Sequence, residues 1–376
     1  MKIPFNIPCV WGDEQKNLKN VIERRKFSGK GNFVQKSSNE LKNITGAKEI
    51  FFTPSCTSAL EMCSLLLNIQ LGDEIILPAF SHVASANPFI QKGAKIVWCD
   101  IRKDTKNIDE VLLESLITKR TKAVVIVHYG GVACEMDRIV NICKQNNISL
   151  IEDAAMAIGA KYKGKPLGSF GDLAVISFHE TKNIQCGEGG VLLVNNPKFF
   201  EKAVRLYDRG TNRREFENGK ADFYTWTMSS SNFLMPELTA AFLYSQLIHL
   251  SEINRKRLED WKFYYARLAD FLLPKMLPII PKDVEPNGHT FYLVLSSENE
   301  RNNLIEYLKR ENIQSVFHYI PLHHAPFWEG KYSQVNLQVT DRISKTIIRL
   351  PLYFEIRKEE IEKIIYHLRQ FFVEKS

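Results

Sequence analysis

The chain has 376 residues, of which 44% are hydrophobic and 25% charged, the composition of an ordinary globular protein that is long enough for two domains. No apolar run approaches the roughly 20 residues of a membrane span, and the net charge of +7 is spread without a basic block, so we expect neither a membrane nor a nucleic acid as partner. The seven cysteines are odd in number and scattered, which argues against disulfides and a zinc site; without an apolar signal core before Asp13, they favour a cytoplasmic protein.

Strand-like and helix-like segments alternate between residues 50 and 195. Short apolar, β-branched runs are typical of strands buried on both faces of a sheet. They predict strands at 74–77, 95–99, 123–127, 148–151, 173–177 and 191–194. Helical patterns between them predict helices at 58–68, 109–117 and 136–146. This alternation predicts right-handed βαβ units and a mainly parallel sheet flanked by helices.

Beyond residue 197 the pattern is largely helical, with one long helical segment from 236 to 272. Four prolines between residues 274 and 286 then interrupt the chain. Strands near 290–295 and 315–319 and a helix over 358–372 predict a smaller α+β unit. We therefore predict an α/β protein with a large domain over 1–254 and a small C-terminal domain over 255–376.

A segment rich in serine and threonine precedes the first predicted helix. Residues 53–60 read Thr-Pro-Ser-Cys-Thr-Ser-Ala-Leu, so hydroxyl groups stand where the first N–H groups of a helix lack partners. Such a helix start binds anions, phosphate among them. The same hydroxyls also serve as an ordinary N-cap without a ligand. Taken alone, the segment leaves both interpretations open.

Two acids, Glu152 and Asp153, end the strand predicted at 148–151 and are followed by two alanines. An acid at a strand end is commonly the N-cap of the next helix. Ligand sites of open α/β sheets also lie at the carboxyl ends of strands. The two alanines leave room for a flat ring against the backbone, so Asp153 is also a candidate binding residue.

Lys182 follows the strand predicted at 173–177 and precedes a glycine-rich turn from Gly187 to Gly190. A lysine after a strand is usually a solvated surface residue. Here, Ser177 offers a hydroxyl to a phosphate, and Asp153 ends a neighbouring strand. An amine and a carboxylate at two strand ends are what pyridoxal phosphate needs, one for a Schiff base and one for the pyridinium nitrogen.

Several other motifs fail. The segment His179-Glu180-Thr181-Lys182-Asn183 opens like a zincin helix but has asparagine where the second histidine belongs, so we expect no metal. No Gly-x-Gly-x-x-Gly follows the first strand, which argues against a nicotinamide-dependent oxidoreductase. Neither a Walker loop nor a nucleophile elbow is present.

Together these segments resemble the sugar-nucleotide aminotransferases of the DegT/DnrJ/EryC1/StrS family. The resemblance spans nearly the whole chain and extends to the dTDP-4-oxo-6-deoxyglucose 4-transaminases within the family. The matching segments are 3–5, 53–57, 93–97, 128–129, 131–137, 177–183, 317–323 and 350–352. The resemblance implies the type I aspartate-aminotransferase fold, with an N-terminal arm over 1–20 that packs on the small domain.

The resemblance also implies roles for single residues. Lys182 matches the Schiff-base lysine and Asp153 the partner of the pyridinium nitrogen. The residues implied as phosphate ligands are Thr57, Ser58 and Ser177. Asn232 matches a family asparagine that reaches the phosphate from the neighbouring subunit, which implies a homodimer with shared active sites.

The segment from Phe317 to His323 resembles the region near the sugar-nucleotide pocket, where Tyr319 and His323 are the candidate substrate contacts. Two positions depart from the family pattern. His82 stands where an aromatic residue usually stacks on the cofactor ring; imidazole also stacks, and it titrates near neutral pH. Met156 stands where glutamine commonly contacts the phenolic oxygen of the cofactor, and a thioether donates no hydrogen bond.

The implied reaction is transfer of an amino group from L-glutamate to C4 of dTDP-4-keto-6-deoxy-D-glucose, with pyridoxal 5'-phosphate as cofactor. Its product is a dTDP-4-amino-4,6-dideoxyhexose of galacto or gluco configuration, for a cell-surface polysaccharide. A C3 transaminase acting on a dTDP-3-keto-6-deoxyhexose stays open. The family's 3-dehydratases have histidine in place of the lysine, so Lys182 argues against them. A cofactor-bound regulatory protein without turnover is the alternative from another class.

Overall fold

A computed structural model describes residues 2–328 and 335–373. The strands before residue 195 are β1 (Glu49–Thr53), β2 (Glu74–Pro78), β3 (Lys95–Cys99), β4 (Thr121–Val127), β5 (Ser149–Asp153), β6 (Lys161–Tyr162), β7 (Lys165–Pro166), β8 (Leu173–Ser177) and β9 (Gly190–Val194). Seven of them form one sheet in the order β1-β9-β8-β5-β4-β2-β3. Strand β9 runs antiparallel to its two neighbours, β1 and β8, and the remaining neighbouring pairs in this sheet are parallel. The mainly parallel sheet predicted from the sequence is confirmed.

Helices cover both faces of this sheet. Up to residue 269 the α-helices are α1 (Glu14–Arg24), α2 (Asn32–Thr45), α3 (Cys56–Leu66), α4 (Asn87–Ile90), α5 (Glu110–Leu113), α6 (Met136–Gln145), α7 (Phe200–Tyr207), α8 (Arg213–Glu217), α9 (Glu237–Leu247) and α10 (Leu250–Ala269). Neighbouring strand residues belong to opposite cores: Phe52 and Val124 pack in one cluster, Phe51 and Val125 in the other. Each such buried side chain contributes roughly 1.5–3 kcal/mol. None of the helices in the described part of the chain is long and apolar enough to cross a membrane.

Two predicted helices differ from the observed ones. The segment at 109–117 forms only the short α5 followed by a 3-10 turn over Glu114–Leu116. The segment at 236–272 is two helices, because the chain leaves helical geometry at His249. The His249 ring stacks on Trp11, with 4.0 Å between ring centroids. A contact with the N-terminal segment therefore accompanies the break.

The C-terminal part forms its own layer. Its elements are β10 (Val284–Glu285), β11 (Phe291–Val294), α11 (Glu298–Arg310), β12 (Val316–Phe317), α12 (Gln338–Thr346), β13 (Ile347–Leu350) and α13 (Lys358–Phe372). Strand β10 pairs with β6, whereas β11, β13 and β12 form an antiparallel sheet in that order. Tyr264 of α10 packs in the core of this layer with Phe291 and Ile348. The predicted division at residue 255 lies inside α10, so this helix belongs to both parts.

The N-terminal arm reaches across the molecule. Ile3 forms a parallel bridge with Ile313 and is buried in the core of the C-terminal layer. Gln185, three residues after Lys182, donates to the backbone oxygen of Cys9 at 2.8 Å. These contacts carry Phe5 and Asn6 to the rim of the cavity described below.

Candidate active site

A cavity of about 660 Å³ lies between the central sheet and the C-terminal layer. The ends of β5 and β8 and the start of α3 form one side, and residues of β12 and β13 form the other. The predicted site residues in its wall are Thr57, His82, Asp153, Met156, Ser177, Lys182 and Tyr319. Ser58, Asn232 and His323 are not in this wall.

Lys182 occupies a tight turn after β8. Its backbone N–H donates to His179 O at 2.9 Å, and Phe178 and Cys186 pair across the base of the loop. The residue is only partly exposed. Burial lowers the pKa of Lys182 below its ordinary value, and Arg349 lowers it further, although Cys56 and Asp153 act in the opposite direction. A larger share of neutral amine is available to attack a carbonyl as a result.

Asn183 holds this loop in place from the adjacent position. Its Nδ2 donates to Asn254 Oδ1 at 2.8 Å and to Asn287 O at 2.9 Å. Its Oδ1 lies 2.8 Å from His289 Nδ1. The residue that ends the zincin-like motif is therefore structural: it ties the lysine loop to α10 and to the segment before β11.

Asp153 presents its carboxylate at the end of β5. Ser85 Oγ donates to Oδ2 at 2.7 Å, and the Ala155 N–H donates to Oδ1 at 3.2 Å. The Asp153 side chain forms no helix N-cap, because β5 is followed by turns rather than by a helix. Its carboxylate is held by two donors at the cavity wall.

Glu152, one residue earlier, points to the opposite face of the sheet. It accepts from the N–H groups of Gly168, Phe170 and Gly171 and lies 3.0 Å from His128 Nε2. Burial raises the pKa of Glu152, but His128 and the backbone donors together bring it below its ordinary value. The alternation of a strand thus gives two adjacent acids different roles.

The start of α3 meets the start of β9. Ser55 is the N-cap, and its Oγ accepts from the Ser58 N–H at 3.1 Å. The Ser58 hydroxyl lies 3.1 Å from the same oxygen, so Ser58 serves the cap. Thr57 faces the cavity together with Ser177. A Cβ at Gly190 would lie 2.3 Å from Cys56 N, so the close approach of β9 to this helix start requires glycine.

His82 and Met156, the two positions that depart from the family pattern, line the cavity. His82 Nδ1 accepts from the Ala84 N–H at 3.2 Å, which leaves the proton of the neutral ring on Nε2. Burial and Lys182 lower the pKa of His82. Met156 is buried in an apolar cluster with Tyr129 and Val127. Its environment is thus that of a packed hydrophobic side chain.

The two predicted substrate contacts separate. Tyr319 lines the cavity, where its ring packs against Phe80 at 5.5 Å between centroids. His323 is buried outside the cavity, with Nε2 at 3.1 Å from Asp341 Oδ1, and His324 Nε2 lies 2.9 Å from the same oxygen. The adjacent 329–334 segment is outside the described residues. Of these two residues, Tyr319 is the one placed to touch a ligand in the cavity.

Asn232 is exposed on the surface of its own chain, where its Oδ1 accepts from the Leu234 N–H at 3.4 Å. It belongs to the irregular segment before α9. Its role toward a second copy of the chain stays a prediction.

Sequence reasoning missed several residues of the wall, namely Phe5, Ser85, Arg257, His289 and Arg349. Arg257 donates its guanidinium hydrogens to the backbone oxygens of Gly288, His289 and Leu352. Arg349 had one signal, because it directly precedes the Leu350-Pro351-Leu352 segment that takes part in the resemblance. Phe5 also had a signal, because it lies in the matching segment 3–5, whereas Ser85, Arg257 and His289 lie in segments without a local motif.

This arrangement fits pyridoxal phosphate. Lys182 offers the amine and Asp153 the carboxylate for the ring nitrogen, and both line one cavity. Thr57 and Ser177 offer hydroxyls beside a helix start. No described hydrogen bond uses the Cys56 or Thr57 N–H groups, so two backbone donors are free for a phosphate.

The sequence model of the DegT/DnrJ/EryC1/StrS aminotransferase family matches residues 8–369. The chain is 30% identical to the spore coat polysaccharide biosynthesis protein SpsC of Bacillus subtilis, over 98% of this chain and 96% of SpsC. It is 29% identical to GDP-perosamine synthase of Vibrio cholerae, over 98% of this chain and 99% of that enzyme.

Among solved structures, Spr1654 of Streptococcus pneumoniae, assigned as a sugar aminotransferase, is similar over nearly its whole length. Its pyridoxamine phosphate form has a TM-score of 0.91 at 25% identity and 99% coverage of both chains. Its pyridoxal phosphate form has a TM-score of 0.90 at 25% identity, with 100% of this chain and 99% of that chain covered. The predicted type I aminotransferase fold is thereby confirmed, as is pyridoxal 5'-phosphate as the cofactor. The chain is a pyridoxal phosphate-dependent aminotransferase and belongs to the DegT/DnrJ/EryC1/StrS aminotransferase family.

Proposed function

We propose that the enzyme transfers the amino group of L-glutamate to the C4 keto group of dTDP-4-keto-6-deoxyglucose. The product is a dTDP-4-amino-4,6-dideoxyhexose, made in the cytoplasm for a cell-surface polysaccharide. The observation that carries the proposal is that Lys182 and Asp153 line one cavity of about 660 Å³, a volume in the range of small-molecule sites. The name of SpsC and that of GDP-perosamine synthase support a nucleotide-linked sugar as acceptor.

Each protein group has a defined task. Bound pyridoxal phosphate supplies an electron sink that acidifies the Cα–H bond of the donor. The Lys182 amine would take the Cα proton of the donor as general base and give it back as general acid. The Asp153 carboxylate would bind the ring nitrogen, and the start of α3 with Thr57 and Ser177 would hold the phosphate. The same residues would serve both half-reactions, so that the amino group taken from the donor would pass to the sugar ketone.

The charges of the cavity favour acidic substrates. Arg349 lines the wall, and its guanidinium makes one described hydrogen bond, from Nη2 to Phe317 O at 3.5 Å. Its Nε is buried and has no hydrogen-bond partner among the described residues. Arginine has five N–H donors, and a buried cation with so few partners is costly unless an anion completes it. We assign to Arg349 a carboxylate of the amino donor, which is consistent with glutamate.

We further propose that the enzyme works as a homodimer in which Asn232 of one copy completes the phosphate site of the other. The exposure of Asn232 and its absence from the cavity of its own chain support this arrangement. In this proposal Tyr319 contacts the sugar nucleotide. His323 does not line the cavity and affects the substrate indirectly, by positioning the loop that carries both residues.

The test is incubation of the purified enzyme with L-glutamate and dTDP-4-keto-6-deoxyglucose, followed by NMR of the product. An amino group at C4, of either configuration, is the expected result. An amino group at C3 after incubation with the 3-keto isomer alone would establish the C3 transaminase instead. The corresponding GDP-linked 4-keto sugar serves as the control for the nucleotide, and preferred turnover of it would contradict thymidine.

A further inference from the structure

The side chain of Phe5 covers the guanidinium of Arg349. The Cζ atom of Arg349 lies 4.7 Å from the centroid of the Phe5 ring, within cation–π distance. Phe5 belongs to the N-terminal arm and Arg349 to β13, so the contact joins two segments that are far apart in the chain.

The arm is held on both sides of this contact. Before Phe5, Ile3 pairs with Ile313, and the Phe5 N–H donates to Gln314 Oε1 at 3.2 Å. After it, Asn6 Nδ2 donates to Glu180 O at 3.3 Å, in the loop that carries Lys182. The arm thus spans from the C-terminal layer to the lysine loop, with the Phe5 ring placed between them.

The Phe5 ring is a main contact of the Arg349 guanidinium. Among the described residues, the guanidinium forms only one hydrogen bond, the long one to Phe317 O. A ring on one face of a guanidinium leaves the N–H groups along its edge free for an in-plane carboxylate. Holding the plane in advance lowers the cost of ordering a long side chain when the ligand binds.

We propose that Phe5 is a positioning residue for the amino donor: it fixes the Arg349 guanidinium plane so that the edge receives a carboxylate of an acidic amino acid. This inference rests on the proposed function, since it takes glutamate as the donor. It adds the N-terminal arm to the donor site and predicts that changes in the arm alter donor affinity without altering the chemistry at Lys182.

The experiment follows the first half-reaction, in which L-glutamate converts the pyridoxal form of the holoenzyme to the pyridoxamine form, by absorbance. Phe5→Leu removes the ring and keeps apolar bulk. We expect the half-saturating glutamate concentration to rise about three- to tenfold, the range of a partly desolvated cation–π contact, while the limiting rate stays within twofold. Phe5→Tyr keeps a ring and is expected to behave like the wild type.

A double-mutant cycle with Arg349→Gln separates positioning from a general structural effect. If Phe5 acts through Arg349, then Phe5→Leu has no further effect on glutamate saturation in the Arg349→Gln background. Trp11→Leu is the matched control, because Trp11 is an aromatic residue of the same arm that stacks on His249 instead. The KM of the keto sugar in the second half-reaction is expected to stay unchanged in Phe5→Leu.

Three results would overturn the inference: unchanged glutamate saturation in both Phe5→Leu and Phe5→Ala, the same rise in Trp11→Leu, or additive effects of Phe5→Leu and Arg349→Gln. Failure of the proposed function looks different. There, glutamate would not convert the wild-type holoenzyme at any concentration, whatever the variants do. Retained cofactor absorbance and an unchanged Tm show that each variant is folded.

Discussion

Ser85 donates a 2.7 Å hydrogen bond to the Oδ2 atom of Asp153. Ser85 ends the 3-10 turn over Val83–Ser85, for which His82 is the N-cap. One short turn after β2 therefore presents His82 to the cavity and fixes the carboxylate at the end of β5. This link couples His82 and Asp153, two of the residues that would hold the cofactor.

Removal of the Ser85 hydroxyl is expected to weaken the action of Asp153. A hydrogen bond to a charged group contributes about 1.5 kcal/mol or more, so we expect Ser85→Ala to lower kcat about tenfold and to raise the Kd of pyridoxal phosphate. Steady-state kinetics and cofactor titration measure both. Ser81→Ala is the control, because the Ser81 hydroxyl donates to the Pro78 backbone oxygen and does not line the cavity. Equal effects of the two variants would contradict a specific role of Ser85.

Substitutions of the adjacent acids Glu152 and Asp153 are expected to have different effects, the first on stability and the second on catalysis. Glu152→Gln disturbs a buried carboxylate with three backbone donors and a histidine, so we expect a loss on the order of 3 kcal/mol in unfolding free energy. Asp153→Asn is expected to lower kcat at least about a hundredfold, two powers of ten or about 2.7 kcal/mol of barrier, with little change in Tm. Calorimetry and steady-state kinetics on both variants measure these effects. A large loss of stability in Asp153→Asn with a large loss of kcat in Glu152→Gln would refute the assignment of roles.

The lowered pKa of Glu152 also predicts that the protein loses stability at acid pH. Its folded-state pKa lies below the unfolded value, so its contribution is fully present above the unfolded pKa. It is lost as the pH falls through the folded pKa. Unfolding free energies of the wild type and Glu152→Gln, measured by denaturant titration between pH 7 and pH 3, are therefore expected to converge at the acid end.

The reactivity of Lys182 is expected to follow its charged neighbours. Only the neutral amine attacks a carbonyl, so capture of pyridoxal phosphate by the apo-protein rises with pH and levels off below the ordinary pKa of lysine. Arg349→Gln removes a charge that lowers this pKa and is expected to move the midpoint to higher pH. Asp153→Asn removes a charge that raises it and is expected to move the midpoint to lower pH. Stopped-flow absorbance measures the profiles, with the exposed Lys198→Gln as control; shifts of the opposite sign would contradict the proposed electrostatics.

The His82→Phe variant is expected to retain the function of the His82 imidazole at neutral pH. The pKa of His82 is lowered by burial and by Lys182, so the ring is neutral at pH 7 and stacks as an aromatic ring. We expect His82→Phe to bind pyridoxal phosphate within about threefold of the wild type at pH 7.5. Once the pH falls below the lowered pKa of His82, the wild type gains an imidazolium near Lys182, so the ratio of the two affinities shifts in favour of His82→Phe. A constant ratio across pH would contradict this account, and His249→Phe, outside the cavity, is the control.

Mixed dimers test the proposed role of Asn232. Lys182→Ala is expected to abolish turnover, and Asn232→Ala to weaken it strongly through the phosphate. If Asn232 acts on the partner, a dimer of the two variants contains one site with both native residues. We therefore expect mixing under exchange conditions to restore up to about a quarter of wild-type activity, the share of native sites in a random mixture. If a proven heterodimer shows no restored activity, Asn232 acts in the active site of its own chain or in neither active site.

Much of the fold is predictable from local sequence. The strands of the central sheet are buried on both faces, so each appears as a short continuous apolar run, and β3 and α13 have the predicted bounds. The break between α9 and α10 is not predictable in this way. It coincides with a contact between His249 and Trp11 of the N-terminal arm, which lies more than 200 residues away in the chain.

The sequence by itself predicted that the strand-end residues Asp153, Ser177 and Lys182 and the helix start at Thr57 lie together, and all four residues line one cavity. The physical reason is that neighbouring parallel strands bring their carboxyl ends to one edge of the sheet, so position along the strand predicts proximity.

Only the tertiary structure decided which distant side chains complete that edge. Ser85 reaches Asp153 and Phe5 covers Arg349 because the packing of the C-terminal layer and the arm on the sheet brings these segments together. A hydroxyl, a ring or a guanidinium in such a segment has no local pattern that reveals its partner, since contacts between distant segments depend on the whole packed core.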